Sequence, residues 1–179
     1  FLLPAGSTVA SPANPPAGDA LFQRLRKMTV KLRPSSSYRW TRCAASPSFE
    51  AGRPVEPDSD EAREGTAAAW VADCVLRGDA AEPDNMVGKT HANGWFVTPD
   101  MAFHVKRYTD MIRARGGSIV TEQFGMLNEH IGGTLDASAS VENGDTLYVD
   151  DLKFGYQIVE PFENTQLLIY AGIEWRRLS

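Results

Sequence analysis

Asp136, in GGTLDA, and Asp151 and Lys153, in YVDDLKFG, are the residues of this chain whose types and spacing suit chemistry. Both motifs lie in stretches of two-residue periodicity, 130–141 and 145–155, separated by Asn143-Gly144, a strong hairpin signal. Antiparallel neighbours joined by a tight turn bring such positions close together. Two carboxylates that close repel unless something positive lies between them. The economical candidate is a hard divalent cation, which prefers oxygen ligands and usually keeps several waters. Mg²⁺ and Mn²⁺ both suit an oxygen-rich site. Strand alternation puts Lys153 on the same face as Asp151, where a lysine can orient a water or offset charge on an oxyanion. Asp136, Asp151 and Lys153 therefore read as a constellation for phosphodiester hydrolysis. On spacing alone the competing reading is a surface Asp-Lys pair worth about 0–1 kcal/mol. Asp150, by the same alternation, turns to the opposite face.

Several elements must position these groups. A helix is predicted over 59–77, with Ala62, Trp70, Val71, Cys74 and Val75 near one face and Gly78 at its end. A second runs over 99–115, with Pro99 in the first turn and Gly116 at the C-cap. Three strands follow, at 118–127, 130–141 and 145–155. A last helix over 163–177 carries Gln166 and Tyr170 one turn apart on one face. Helix, three-stranded meander, helix is an α/β pattern in which a curved sheet packs against helices. Upstream, 34–48 reads as a short helix carrying Tyr38, Trp40 and Cys43 that Pro47 stops. Residues 50–60 read as a polar loop, 1–20 as a Pro/Ala/Gly/Ser-rich leader, and 21–28 as a short amphipathic helix. The domain reading is thus a leader with a basic segment over 1–33 and one folded unit over 34–179.

Composition limits the alternatives. With 179 residues, 42% hydrophobic and 23% charged, the chain can bury one ordinary core. No apolar run approaches the ~18 residues that span a bilayer, and FLLPAG lacks the charged start of a secretory signal. A soluble protein of the cytoplasm, without a membrane partner, is expected. The net charge of −5 is unevenly spread, because residues 1–42 hold seven Lys and Arg against Asp19 alone. Such a basic arm on an acidic body can reach phosphate, or it can be a solvated helix face. Cys43 and Cys74 have no CxxC spacing and read as small buried hydrophobes.

GGTLDA, YVDDLKFG and ENTQLLIYA, in that order and with these gaps, resemble motifs of the PD-(D/E)xK nucleases, specifically the RecB-like exonuclease branch with a QxxxY helix. SSSYRWTRCAAS followed by AREGTAAAW is similar to the amino-terminal half of phage and prophage members of that branch. The resemblance covers roughly 34–175 and implies a restriction-endonuclease-like core and a metal-dependent DNA exonuclease serving phage recombination or DNA processing. It implies Asp136 and Asp151 as ligands of Mg²⁺ or Mn²⁺, the Leu152 carbonyl as a further metal contact and Lys153 as the catalytic lysine. Gln166 and Tyr170 match the QxxxY positions that line the site. Glu122 falls where relatives often carry an acid on the first strand, assisting through water or merely exposed on the strand face. Arg39, Trp40 and Arg42, with Tyr38, can engage a DNA strand by stacking and phosphate contact, or Trp40 can pack in a core.

Three departures qualify the resemblance. Relatives often read G-T-A-A-H on the first helix, the His binding metal, whereas this chain has Ala69 there. Alanine cannot bind a metal, so either an engineered His→Ala change or a natural loss is implied. A [4Fe–4S] cluster needs four thiolates, and with two cysteines none is expected. The final strand of the core is missing from the pattern, as a truncated chain, an unusually short member, or completion by another subunit through self-association would leave it. The alternative reading is a catalytically silent relative that binds DNA or a partner protein.

Overall fold

Ser59 opens the first long helix by accepting a hydrogen bond from the Ala62 amide, and Asp60 and Glu61 complement the helix dipole in the first turn. The computed structural model describes residues 32–54, 56–141, 145–155 and 159–179. A 3₁₀ turn at Pro34–Ser36 leads into α1 (Ser37–Trp40) and α2 (Ser46–Ala51). Then come α3 (Asp60–Leu76), a second 3₁₀ turn at Pro83–Met86 and α4 (Pro99–Arg115). The strands β1 (Ser118–Met126), β2 (Gly132–Val141) and β3 (Thr146–Asp150) follow, and α5 (Thr165–Leu178) comes last. The class is mixed α/β. No helix among the described residues is long and apolar enough to cross a membrane.

The helix boundaries follow from local chemistry. Thr98 caps α4 by accepting from the Met101 amide, Pro99 fits the first turn, and Gly116, at φ 69°, ends the helix in a backbone conformation that favours glycine. Asn164 caps α5 by accepting from the Gln166 and Leu167 amides. In the amino-terminal part the expectation fails. Pro47 sits in the first turn of α2 and starts that helix, because its missing N–H is one that the first turn leaves unbonded. Cys43 is exposed on the turn between α1 and α2, so it is no core residue, while Cys74 is half-buried against the main core. The leader over 1–20, the helix over 21–28 and the Asn143-Gly144 turn lie outside the described residues.

The sheet is antiparallel in the order β1-β2-β3. On one face, α3 and α4 enclose a core of Ala67, Val71, Val75, Val97, Met101 and Val105. On the other, α5 packs Tyr170 and Ile173 onto Leu135. The β1–β2 register runs from Ser118↔Ser140 to Met126↔Gly132 without an inserted residue. Alternation is nevertheless broken. Gly125 opens towards Ile173 of α5, yet Thr121, four residues earlier and of the same parity, donates its hydroxyl to Asp73 of α3. On β2, Gly133 faces Tyr170 and Ser138, five residues on, donates to Glu174 of α5. The change of face falls at Glu122, which has φ 48°, and at Asp136 opposite it, between the pairs Thr121↔Ala137 and Gln123↔Leu135. A left-handed non-glycine residue costs roughly 1–2 kcal/mol and persists only where its surroundings hold it.

The third strand is shorter than its periodicity predicts, ending at Asp150. Asp150 is held on the α4 side, where Arg115 donates to both carboxylate oxygens at 2.7 and 2.8 Å. Arg115 also lies over the Tyr148 ring. Asp151 to Phe154 therefore continue as an irregular segment rather than as strand.

The two faces give contrasting glycine tests. A methyl group at Gly125 would meet the Ile173 side chain, whereas one at Gly65 in α3 has nothing within 4 Å. Gly125→Ala is expected to destabilise by about 1–3 kcal/mol through overpacking, and Gly65→Ala to stabilise by roughly 0.5–1 kcal/mol through helix propensity. Chemical denaturation of both variants checks this, and effects of equal sign would contradict the packing of α5 on β1.

Candidate functional site

Asp136 lies in the middle of β2, flanked by Leu135 and Ala137, both fully buried. Extending the β2–β3 pairing one step beyond Ala137↔Asp150 places Asp151 opposite Asp136. With Glu122 opposite Asp136 on the other side, the three acids form one row across the strands. The row is tied down at its carboxylates. The Leu152 amide donates to Asp136 Oδ2 at 2.6 Å, Gln166 Nε2 donates to Asp151 Oδ1 at 2.7 Å, and Lys153 Nζ forms an ion pair with Asp151 Oδ2. Asp151 is 8% exposed in its side chain and Lys153 45%, so the lysine is the solvent-facing end of the pair.

Tyr170 stands one turn beyond Gln166 on α5. Its hydroxyl donates to the Thr134 carbonyl at 2.8 Å, which fixes α5 against β2 and sets the height at which Gln166 meets Asp151. Burial, followed by the charge of Asp151, raises the Tyr170 pKa and keeps the phenol neutral. Five predicted residues thus come together: Asp136, Asp151, Lys153, Gln166 and Tyr170. Asp151 and Lys153 meet in the irregular segment after β3, so strand alternation does not account for their pairing.

Burial pushes the Asp136 carboxyl up to about 7, with Asp151 as the next cause and the Leu152 amide opposing. Two buried carboxylates of one sign share this site with one cation, Lys153, which already contacts Asp151. A hard divalent ion fits that donor set, since Mg²⁺ is commonly held by one or two carboxylates with waters and substrate oxygens supplying the rest. Among the described residues no group of three or more His, Cys, Asp or Glu side chains is placed to hold a metal ion, so the chain would supply at most two side-chain ligands and water or substrate the rest. Asp136 and Asp151 are the side chains that would bind it. Ala69 is half-buried on α3 and outside the main core cluster. It stands one turn before Asp73, whose carboxylate meets Thr121 beside Glu122. That helix face therefore turns towards β1, and at position 69 it presents only a methyl group.

The amino-terminal candidates lie elsewhere. Arg39 pairs with Glu50 at 3.1 Å and lies over the Tyr38 ring, and Trp40 Nε1 donates to the Arg33 carbonyl at 2.9 Å. Arg42 is exposed on the turn after α1. Arg39 and Trp40 thus have local partners, while Ser37 ties this region to α5 through the Thr165 hydroxyl at 2.6 Å.

Sequence reasoning missed Tyr108. Its hydroxyl is buried without a hydrogen-bond partner among the described residues, and burial together with Asp136, Asp150 and Asp151 raises its pKa, so it stays a neutral donor. It borders a cleft of 690 Å³ that Leu152, Lys153 and Phe154 line from the other side. The wall of that cleft is α4, whereas α5 supplies Gln166 from behind. The helical spacing of Tyr108 with Val105 and Ile112 gives only a core signal.

Residues 30–173 match the family described as "Protein of unknown function (DUF2800)", and the chain belongs to that family. The match spans every candidate residue from Arg39 to Tyr170. No solved structure matches the chain.

The raised Asp136 pKa has a stability consequence with a defined sign. The folded-state value of about 7 exceeds the ordinary 3.8, so the folded protein holds this proton more tightly than the unfolded chain. Stability in chelator is full below about pH 4 and falls as pH rises towards 7. Asp136→Asn, which keeps an oxygen for the Leu152 amide, should stabilise the metal-free protein at pH 8 by on the order of 2–4 kcal/mol and change little at pH 4. Unfolding in EDTA at both pH values checks this, and parallel pH profiles for the two proteins would refute the burial of a charged Asp136.

Proposed function

We propose that this DUF2800 chain is a divalent-metal-dependent deoxyribonuclease with a restriction-endonuclease-like core, acting on phosphodiester bonds in DNA. The observation that carries the reading is the convergence of Asp136, Asp151, Lys153 and Gln166, drawn from β2, the segment after β3 and α5, in the arrangement that the PD-(D/E)xK resemblance implies. Its place in phage recombination or DNA processing rests on that resemblance alone.

Each residue has a definable role. Asp136 and Asp151 would hold Mg²⁺ or Mn²⁺, which when bound supplies Lewis acidity and neutralises phosphate charge. The Leu152 amide fixes one oxygen of Asp136, and its carbonyl belongs to the same segment. Gln166 fixes Asp151, so both carboxylates are held before a substrate arrives. Lys153, solvent-facing and charged, offsets the negative charge that builds on the attacked phosphate oxygens. Tyr170 acts through Gln166 and the backbone of β2. Glu122, at the exposed end of the acidic row, can hold a water by hydrogen bonding.

A specific observation favours the second reading, a silent DNA- or protein-binding relative. Position 69 carries no donor, so the protein offers two carboxylates where relatives add an imidazole.

One experiment separates the two readings. End-labelled DNA is incubated at fixed Mn²⁺ with the unaltered chain, with Ala69→His, and with Ala69→His carrying Lys153→Ala. The unaltered chain is expected to cut slowly, Ala69→His to cut about 10²-fold faster or more, and Lys153→Ala to remove the gain. Equal rates in all three would remove the nuclease mechanism and leave the binding reading.

A further inference from the structure

The 690 Å³ cleft beside the acidic row has a character of its own. Its size falls within the roughly 300–1,000 Å³ of small-ligand sites. Lys153 and Leu152 are among its lining residues, so the cleft shares residues with the candidate reactive centre. Along its length the lining changes from charged to aromatic. Phe154, half-buried, meets His104 edge-on with ring centroids 6.2 Å apart and planes at 78°. Phe103, 60% exposed and outside the cleft lining, stands edge-on to His104 at 5.3 Å. Arg107 and Lys153 supply positive charge, Glu64 and Asp100 add negative charge with Asp100 Oδ1 3.7 Å from His104 Nε2, and Tyr108 brings a buried hydroxyl without a protein partner among the described residues.

This combination suits one ligand chemistry. A flat aromatic heterocycle can lie against Phe154 and His104, and an attached phosphate can meet Arg107 and Lys153, the pattern by which proteins bind single strands through stacking and backbone charge. A base inside a duplex is covered on both faces and on its pairing edge, so it cannot enter a pocket walled by α4 on one side and residues 152–155 on the other. We propose that the cleft holds one unpaired nucleotide of the DNA strand being cut, its base against Phe154 and His104 and its phosphate towards Arg107 and Lys153. The proposal rests on the nuclease reading for the identity of the strand and adds the preference for an unpaired end. Because stacking reads the face of a base and not its edge, the preference tolerates sequence.

The test uses DNA duplexes with blunt ends or with short 5′ or 3′ overhangs, 2-aminopurine at the terminal position, and the full chain in EDTA. Stacking quenches 2-aminopurine fluorescence, and anisotropy reports total binding. Quenching is expected on an overhang and not on a blunt end. Phe154→Leu with His104→Leu should abolish it and weaken overhang binding about 10-fold. His104→Ala alone, at a half-exposed position whose loss the fold tolerates, should reduce the quenching in part. Undiminished quenching in the variants, equal affinity for blunt and overhanging ends, or no binding of either DNA would overturn the proposal. Ala69→His in Mn²⁺ separates the two claims. Cleavage without quenching removes the cleft assignment and keeps the nuclease, while quenching without cleavage does the reverse.

Discussion

The hydrogen bond from the Leu152 amide to the Asp136 carboxylate is the contact on which the candidate site depends. A ladder continuing β3 would spend that amide on the backbone of β2. Given to a side chain instead, it ends the strand at Asp150 and releases residues 151–154 to curve past the sheet end. Asp151 then meets Gln166 on α5 while Lys153 and Phe154 reach the cleft beside α4. One side-chain acceptor in the middle of β2 thereby sets the path of the segment that holds most of the candidate chemistry.

The same acceptor creates an electrostatic problem that the fold solves only in part. Three acids lie in a row, and neighbouring acids have their own cations: Asp150 has Arg115, and the fully buried Glu174 has Arg177 and the Ser138 hydroxyl. Asp151 has Lys153. Asp136 has a single amide and no cation of its own among the described residues, and burial raises its pKa. Asp150, Asp151 and Glu174 each have a cation of the chain, whereas the carboxylate at the centre of the row has none among the described residues and is left to a proton or to an external cation.

Backbone strain coincides with this place. Glu122, the left-handed residue of β1, lies opposite Asp136, and the change of face there lets β1 and β2 offer Thr121 to α3 while Gly125 and Gly133 admit α5 closely on the other side. Two helical layers can thus approach a sheet only three strands wide among the described residues. Family membership spans this whole arrangement, from the amino-terminal turns to α5.

Much of the architecture is legible in the sequence, because its signals are local. Pro99 and Gly116 mark the ends of α4 through backbone preferences of their own, and a period of two marks β1 and β2 nearly to the residue. The spacing of Asp151 with Lys153 and of Gln166 with Tyr170 is equally visible, as is the turning of Asp150 away from the site. Pro47 misleads because a proline that stops one helix and a proline that starts another differ only in the conformation of their neighbours. The length of β3, the flip at Glu122, the local partners of Arg39 and Trp40, and the placing of Tyr108 beside three carboxylates are decided by the tertiary structure. The end of β3 depends on which distant group claims a backbone amide, and the surroundings of Arg39, Trp40 and Tyr108 on what the folded neighbours offer; periodicity and propensity carry no information about partners 16 or 35 residues away.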